Sequence, residues 1–142
     1  MADRFVPVEL NMTLEQRQLV RQSLDRLRGE ADPVTLLLYG KLFELDPSTR
    51  SLFHNDITAQ GRKLMDTLDA IAGSLDRFES IRPHLIELGR KHAEYGVQPA
   101  HYETLVNALL WAFTQALGPD FDARTREAWR RALERVAEVM QS

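Results

Sequence analysis

Apolar residues recur at spacings of three and four along most of the chain, and the stretches with this period are broken by turn signals every 15 to 25 residues or so. The first break-free stretch opens at Thr13, where Gln16 three residues on completes a capping box. It carries Leu14, Leu24 and Leu27 and reaches a natural stop at Gly29. Asp32-Pro33 then predicts a fresh start, an N-cap followed by proline in the first turn, for a helix through Leu36, Leu37, Tyr39, Leu42 and Phe43 to Leu45. Asp46-Pro47 repeats the signal for a short turn ending near Leu52-Phe53, and His54-Asn55-Asp56 reads as a loop. A long helix is predicted from Ile57 to Leu75 with its stripe at Ile57, Gln60/Gly61, Leu64, Leu68, Ile71 and Leu75. Ser80 is placed to cap a shorter helix striped by Ile81, Leu85, Leu88 and His92, which Tyr95-Gly96-Val97-Gln98-Pro99 breaks. The next carries Tyr102, Leu105/Val106, Leu109, Phe113 and Leu117 as far as Gly118-Pro119; Asp122 caps the last, with Trp129, Leu133, Val136 and Met140. No alternating segment is long enough for a strand. The expected class is all-α, six or seven helices.

Composition narrows the chemistry. The chain has 142 residues, 18 basic against 21 acidic side chains, and a formal net charge of −3. That leaves no excess of cations for holding phosphates, so no nucleic-acid partner is expected. Cysteine is absent, which excludes disulfides, thiolate catalysis, iron–sulfur clusters and cysteine-linked haem. The longest aliphatic run is Leu36-Leu37-Leu38, so no membrane insertion is expected, and Met1 to Met12 lacks the apolar block of a signal peptide. A cytoplasmic location is the resulting expectation.

Candidate chemistry is sparse. His54, His84, His92 and His101 form no i, i+3 or i, i+4 pair, and there is no HExxH, Gly-rich phosphate loop or GxSxG. His92 is the fourth member of an apolar stripe in the last turn of its helix. One reading is a half-buried histidine interacting with the C-terminal helix dipole. The other is a lone axial metal ligand, which suffices only when a porphyrin supplies four further nitrogens. Tyr39 shares a face with Leu42 and Phe43, and Gln60 lies on the apolar side of the long helix; both polar tips need a partner if buried. Either they project into one site, or Tyr39 reaches a backbone carbonyl and Gln60 is solvated. Gly61, with Gly40 on the earlier helix, is placed to let two helices cross closely, or is simply tolerated.

The order of these features resembles the globin family from about Thr13 to Met140. Leu88-Gly89-Arg90-Lys91-His92 followed by Tyr95-Gly96-Val97 is similar to the proximal-histidine segment of neuroglobin-like and bacterial single-domain globins. Arg62-Lys63-Leu64-Met65 resembles their distal helix, and Leu42-Phe43-Glu44-Leu45-Asp46-Pro47 through Leu52-Phe53 the region before it. Leu117-Gly118-Pro119 with Ala128-Trp129 resembles the last interhelical turn and last helix. The resemblance implies a three-over-three helical sandwich around haem b, with residues 13–142 as one globin domain after a 1–12 extension. It implies His92 as the iron ligand and Phe53 stacked on the porphyrin. Leu64, Leu88, Val97, Tyr102, Val106 and Leu109 would pack on the macrocycle, Lys63 and Arg90 would meet its carboxylates, and Tyr39, Gln60 and Leu64 would form the gas pocket.

Glutamine stands where many globins have a second histidine, so the sixth iron position is expected to be open or to hold water. Bound dioxygen carries negative charge, and two donors, Tyr39 and Gln60, imply slow release and high affinity. The implied function is oxygen binding as carrier, store or scavenger. Nitric oxide dioxygenation is the enzymatic alternative, and gas or redox sensing on a partner in trans is the third. The ten-residue spacing of His92 and Tyr102 is that of flavohaemoglobin-type globins, whose late glutamate would align beyond Ser142, Glu138 being the nearest acid. No residues are left over for FAD and NAD domains, so turnover would need a separate reductase.

Overall fold

The computed structural model describes residues 10–53 and 56–142. Two expectations therefore fall partly outside it: the 1–12 extension and the loop at His54-Asn55. Six α-helices are present among the described residues: α1 Leu14–Arg28, α2 Ala31–Leu45, α3 Ile57–Gly73, α4 Arg82–Glu94, α5 Pro99–Leu117 and α6 Ala123–Met140. They are joined by 3₁₀ turns at Pro47–Leu52, Leu75–Ser80 and Gly118–Asp120. No described residue is in a strand.

Several starts are fixed by short polar side chains that satisfy the orphan N–H groups of a first turn. Thr13 and Gln16 form the reciprocal capping box. Asp46 accepts from Ser48 N–H, Asp56 from Thr58 N–H and Asp122 from Thr125 N–H, at 2.9–3.0 Å. Three boundaries differ from the pattern. The second helix begins at Ala31 with Glu30 in the N-cap position, so Asp32-Pro33 lies within its first turn. Proline is tolerated there because its missing N–H would have had no intrahelical acceptor. The long helix stops at Gly73; Leu75 to Ser80 tightens into 3₁₀ turns interrupted by non-helical Arg77 (φ −147°, ψ 59°). Ser80 therefore caps nothing, and Ile81 precedes α4 without a side-chain cap.

The helices pack as two layers, α1, α3 and α4 against α2, α5 and α6. The closest partners are α2 with α5, α1 and α4 with α6, and α3 with α2 and α1. At the centre Trp129 and Phe113 are buried with ring centroids 4.9 Å apart, and Phe113 also meets Phe121 edge-on at 5.9 Å. The Trp129 indole donates to buried Ser23 Oγ at 2.7 Å, and that hydroxyl in turn donates to the Leu19 carbonyl. The polar atoms taken into this core are thus paired, as burial requires. Of the α1 stripe, Leu24 and Leu27 are buried but Leu14 is exposed, because the N-terminal end of the helix overhangs the core. Leu10, just outside α1, is buried against the same core.

Candidate functional site

Between the layers lies a cavity of about 310 Å³, in the size range of small-molecule sites. Its wall on α2 and α3 is set by a close crossing. A Cβ added at Gly61 would lie 2.9 Å from the Cβ and Cγ2 of Thr35, so this approach needs glycine. Thr35 is one turn before Tyr39, and Gly61 adjoins Gln60. The crossing therefore brings those two polar tips to one cavity, which both line. Gly40 does not take part: it is exposed, with nothing within 4 Å of an added Cβ. The helix turns its other face to α3.

Tyr39 is buried, its ring 5.2 Å from Phe53 in an edge contact and 6.1 Å from Phe43 in a stacked one. Phe53 and Phe43 meet edge-on at 5.8 Å, completing an aromatic cluster on this side. Burial pushes the Tyr39 phenol up to about 12, so it stays a protonated donor throughout the ordinary pH range. Neither its hydroxyl nor the Gln60 amide has a side-chain hydrogen bond among the described residues.

The other wall carries His92. Its Nδ1 lies 2.8 Å from the Leu88 carbonyl oxygen, a distance at which Nδ1 holds the proton and donates. Nε2 is left as the lone-pair nitrogen of a ring that lines the cavity. The helix stops just beyond it by a Schellman arrangement: Val97 N–H donates to the His92 carbonyl and Gly96 N–H to that of Ala93. Gly96 sits at φ +98°, a conformation glycine adopts freely. Tyr102 stacks beside the imidazole, centroids 6.4 Å apart at 27°, and burial raises its phenol pKa.

The structure brings His92, Phe53, Lys63, Leu64, Leu88, Val97, Tyr102, Val106, Leu109, Tyr39 and Gln60 to this one cavity. Arg90 is not among its lining residues. It lies on the exposed face of α4, paired with Glu87 and Glu94, whose carboxylates hold it away from the cavity. The sequence pattern missed His101, which lines the cavity and accepts from Gln98 N–H at Nδ1, leaving Nε2 3.7 Å from Asp46. Its signal was local: glutamine and histidine three apart around Pro99, a reciprocal cap for α5. Leu133, Val136, Ala137 and Met140 of α6 also line the cavity.

No group of three metal-ligating side chains occurs among the described residues. A single imidazole nitrogen in an apolar slot fits a group that brings its own remaining ligands, and haem is that group. Six helices in two layers around such a slot, with one histidine and two distal donors, describe a haem-pocket protein. The chain belongs to the globin family: the Globin family model matches residues 36–140. It is 30% identical to neuroglobin of Tetraodon nigroviridis over 132 residues, covering 83% of each chain. It is 28% identical to a flavohemoprotein of Halalkalibacterium halodurans, covering 90% of this chain but only 32% of that one. Among solved structures it is similar to an engineered carbene transferase from Rhodothermus marinus, at 31% identity, 92% coverage of both chains and a TM-score of 0.81. A bacterial globin from Campylobacter jejuni shares the fold at 23% identity, with a TM-score of 0.79 and coverage of 91% of this chain and 94% of that one. The fold is the three-over-three globin sandwich. Membership of the family implies haem binding and, through haem, binding of diatomic gases. No helix among the described residues is long and apolar enough to cross a membrane.

Proposed function

We propose that this globin binds dioxygen reversibly and releases it slowly, with residues 13–142 as its single domain. The observation that carries this reading is the pairing of a buried, protonated Tyr39 and an unpartnered Gln60 on the cavity that His92 also lines. Haem, when bound, supplies the iron at which a diatomic gas is held. The chain's own residues do the rest. His92 Nε2 is the one imidazole donor available to iron, and the Leu88 carbonyl fixes its tautomer. Phe53, Leu64, Leu88, Val97, Tyr102, Val106 and Leu109 supply apolar surface to the macrocycle and exclude water. Lys63 is the cation nearest in sequence to these lining residues and offers its charge to the haem carboxylates. With no cysteine in the chain there is no thiol for covalent attachment, which favours haem b.

On the distal side Tyr39 and Gln60 are donors without competing protein acceptors. A hydrogen bond to charge contributes about 1.5–3 kcal/mol. Stopped-flow oxygen dissociation tests this. Tyr39→Phe should speed release by about ten- to a hundredfold if that energy is lost on removal of the donor, and Gln60→Leu by less. Unchanged rates in both variants would refute the distal-pocket account.

A second reading is nitric oxide dioxygenation with a separate reductase. It is favoured by the likeness to the Rhodothermus marinus protein, described as a nitric oxide dioxygenase, and to a flavohemoprotein. Sustained nitric oxide consumption with a reductase supplied would establish it; a single stoichiometric burst would remove it.

A further inference from the structure

The residue after Leu88, whose carbonyl orients the His92 ring, is Gly89. It is buried, and a Cβ built there would lie 1.8 Å from the carbonyl oxygen of Met140, 2.5 Å from its carbonyl carbon and 2.8 Å from its Cα. All three are backbone atoms, so no rotamer change relieves the overlap. Ordinary contact begins at 3.4 Å, which is 1.6 Å further out than the nearest of these atoms. Met140 is the last residue of α6, and its carbonyl is one of the terminal carbonyls that have no helical N–H partner. The helix behind it is held firmly: Val139 and Val136 are buried, and Trp129 further back is tied to Ser23 on α1. Helix α4 for its part packs chiefly on α6 and on the 3₁₀ turns that precede it. Met140 also lines the cavity.

We propose that Gly89 is a positioning residue: by letting α4 rest directly on the terminal carbonyl of α6, it sets the depth to which His92 reaches into the cavity. This rests on His92 being the iron ligand. A side chain at 89 drives α4 off its stop, and the Leu88 carbonyl and the imidazole move with it, one residue before and three after the contact. Packed helices do not absorb such a step locally, because interiors are close to crystal density.

The test compares the full chain with Gly89→Ala by resonance Raman of the ferrous, gas-free protein loaded with haem. Wild type should show an iron–histidine stretching band; no haem uptake or no such band would overturn the ligand reading itself, independently of Gly89. Given that band, Gly89→Ala should shift or broaden it and raise the rate of haemin loss at least severalfold. The same substitution is then made in a His92→Gly background supplied with free imidazole. There the ligand is no longer tethered to α4, so alanine at 89 should leave the iron–imidazole band unmoved. An unshifted band in the full chain, or equal shifts in both backgrounds, would overturn the proposal. Should Gly89→Ala fail to fold, as judged by its melting curve, a chain ending at Val139 with Gly89 intact removes the stop instead. Its band should depart from wild type, and an unchanged band would overturn the proposal equally.

Discussion

Two glycines make the two walls of the cavity, and they do so against different kinds of neighbour. On the distal wall Gly61 meets the side chain of Thr35, at 2.9 Å from an added Cβ. On the proximal wall Gly89 meets the backbone of Met140, at 1.8 Å. A threonine held at its own turn by a hydrogen bond to the Asp32 carbonyl can shift by a few tenths of an ångström. A helix-terminal carbonyl anchored through α6 cannot. Close approach of helices at a pocket thus has a soft form and a hard form. The distal pair Tyr39 and Gln60 stands on the soft one, and His92 on the hard one.

Urea or thermal melts of the two alanine variants break or sharpen that contrast, and here the largest effect is expected. Alanine in a helix gains up to about 1 kcal/mol over glycine, which offsets part of any clash. Overpacking typically costs about 1–3 kcal/mol and occasionally more. Gly89→Ala, with backbone on the far side, should fall at or beyond the upper end, near 3 kcal/mol net loss. Gly61→Ala should lose no more than about 2 kcal/mol and keep its proximal spectroscopy. Equal losses would mean that the two walls yield alike.

Much of this was legible in advance because the relevant signals are local. Spacings of three and four with capping residues located the six helices, and a histidine on an apolar stripe of α4, together with a tyrosine and a glutamine on apolar faces, marked the site. What escaped was set by contacts distant in sequence or by competition between local signals. Gly89 and Met140 are 51 residues apart, and nothing near either one announces the other. Asp32-Pro33 reads as a helix start, yet the helix begins before it because a first turn tolerates the missing N–H. Arg90 reads as a cation near the proximal histidine, but Glu87 and Glu94 at i−3 and i+4 hold it on the outer face. His101 carried a capping signal and no sign that its ring would reach the cavity.

The hard wall also depends on how α4 ends. Gly96 holds φ +98° so that Val97 and Gly96 can close the last carbonyls, including that of His92. An L side chain in the left-handed region costs about 1–2 kcal/mol. Gly96→Ala should therefore lower stability by that amount, less than Gly89→Ala. The amide protons of Val97 and Gly96 should exchange faster with solvent than in wild type. If Gly96→Ala proved as damaging as Gly89→Ala, the stop at Met140 would not be what distinguishes the proximal wall.

The smallest effect expected contrasts the two tyrosines nearest the site, Tyr39 on the soft wall and Tyr102 on the hard one. Burial raises both phenols, Tyr39 to about 12 from an ordinary value of 10. A raised folded-state pKa means that the unfolded chain loses its proton first, so the contribution is fully present below pH 10. It fades as pH climbs through the folded value. Wild-type stability should thus decline between about pH 10 and 12 by more than that of Tyr39→Phe, which has no phenol to ionise there. In the folded protein, absorbance titration should show the step missing from Tyr39→Phe at higher pH than the step missing from Tyr102→Phe. The reverse order would mean that the distal phenol is the better hydrated of the two, which would remove the dry donor on which slow gas release depends.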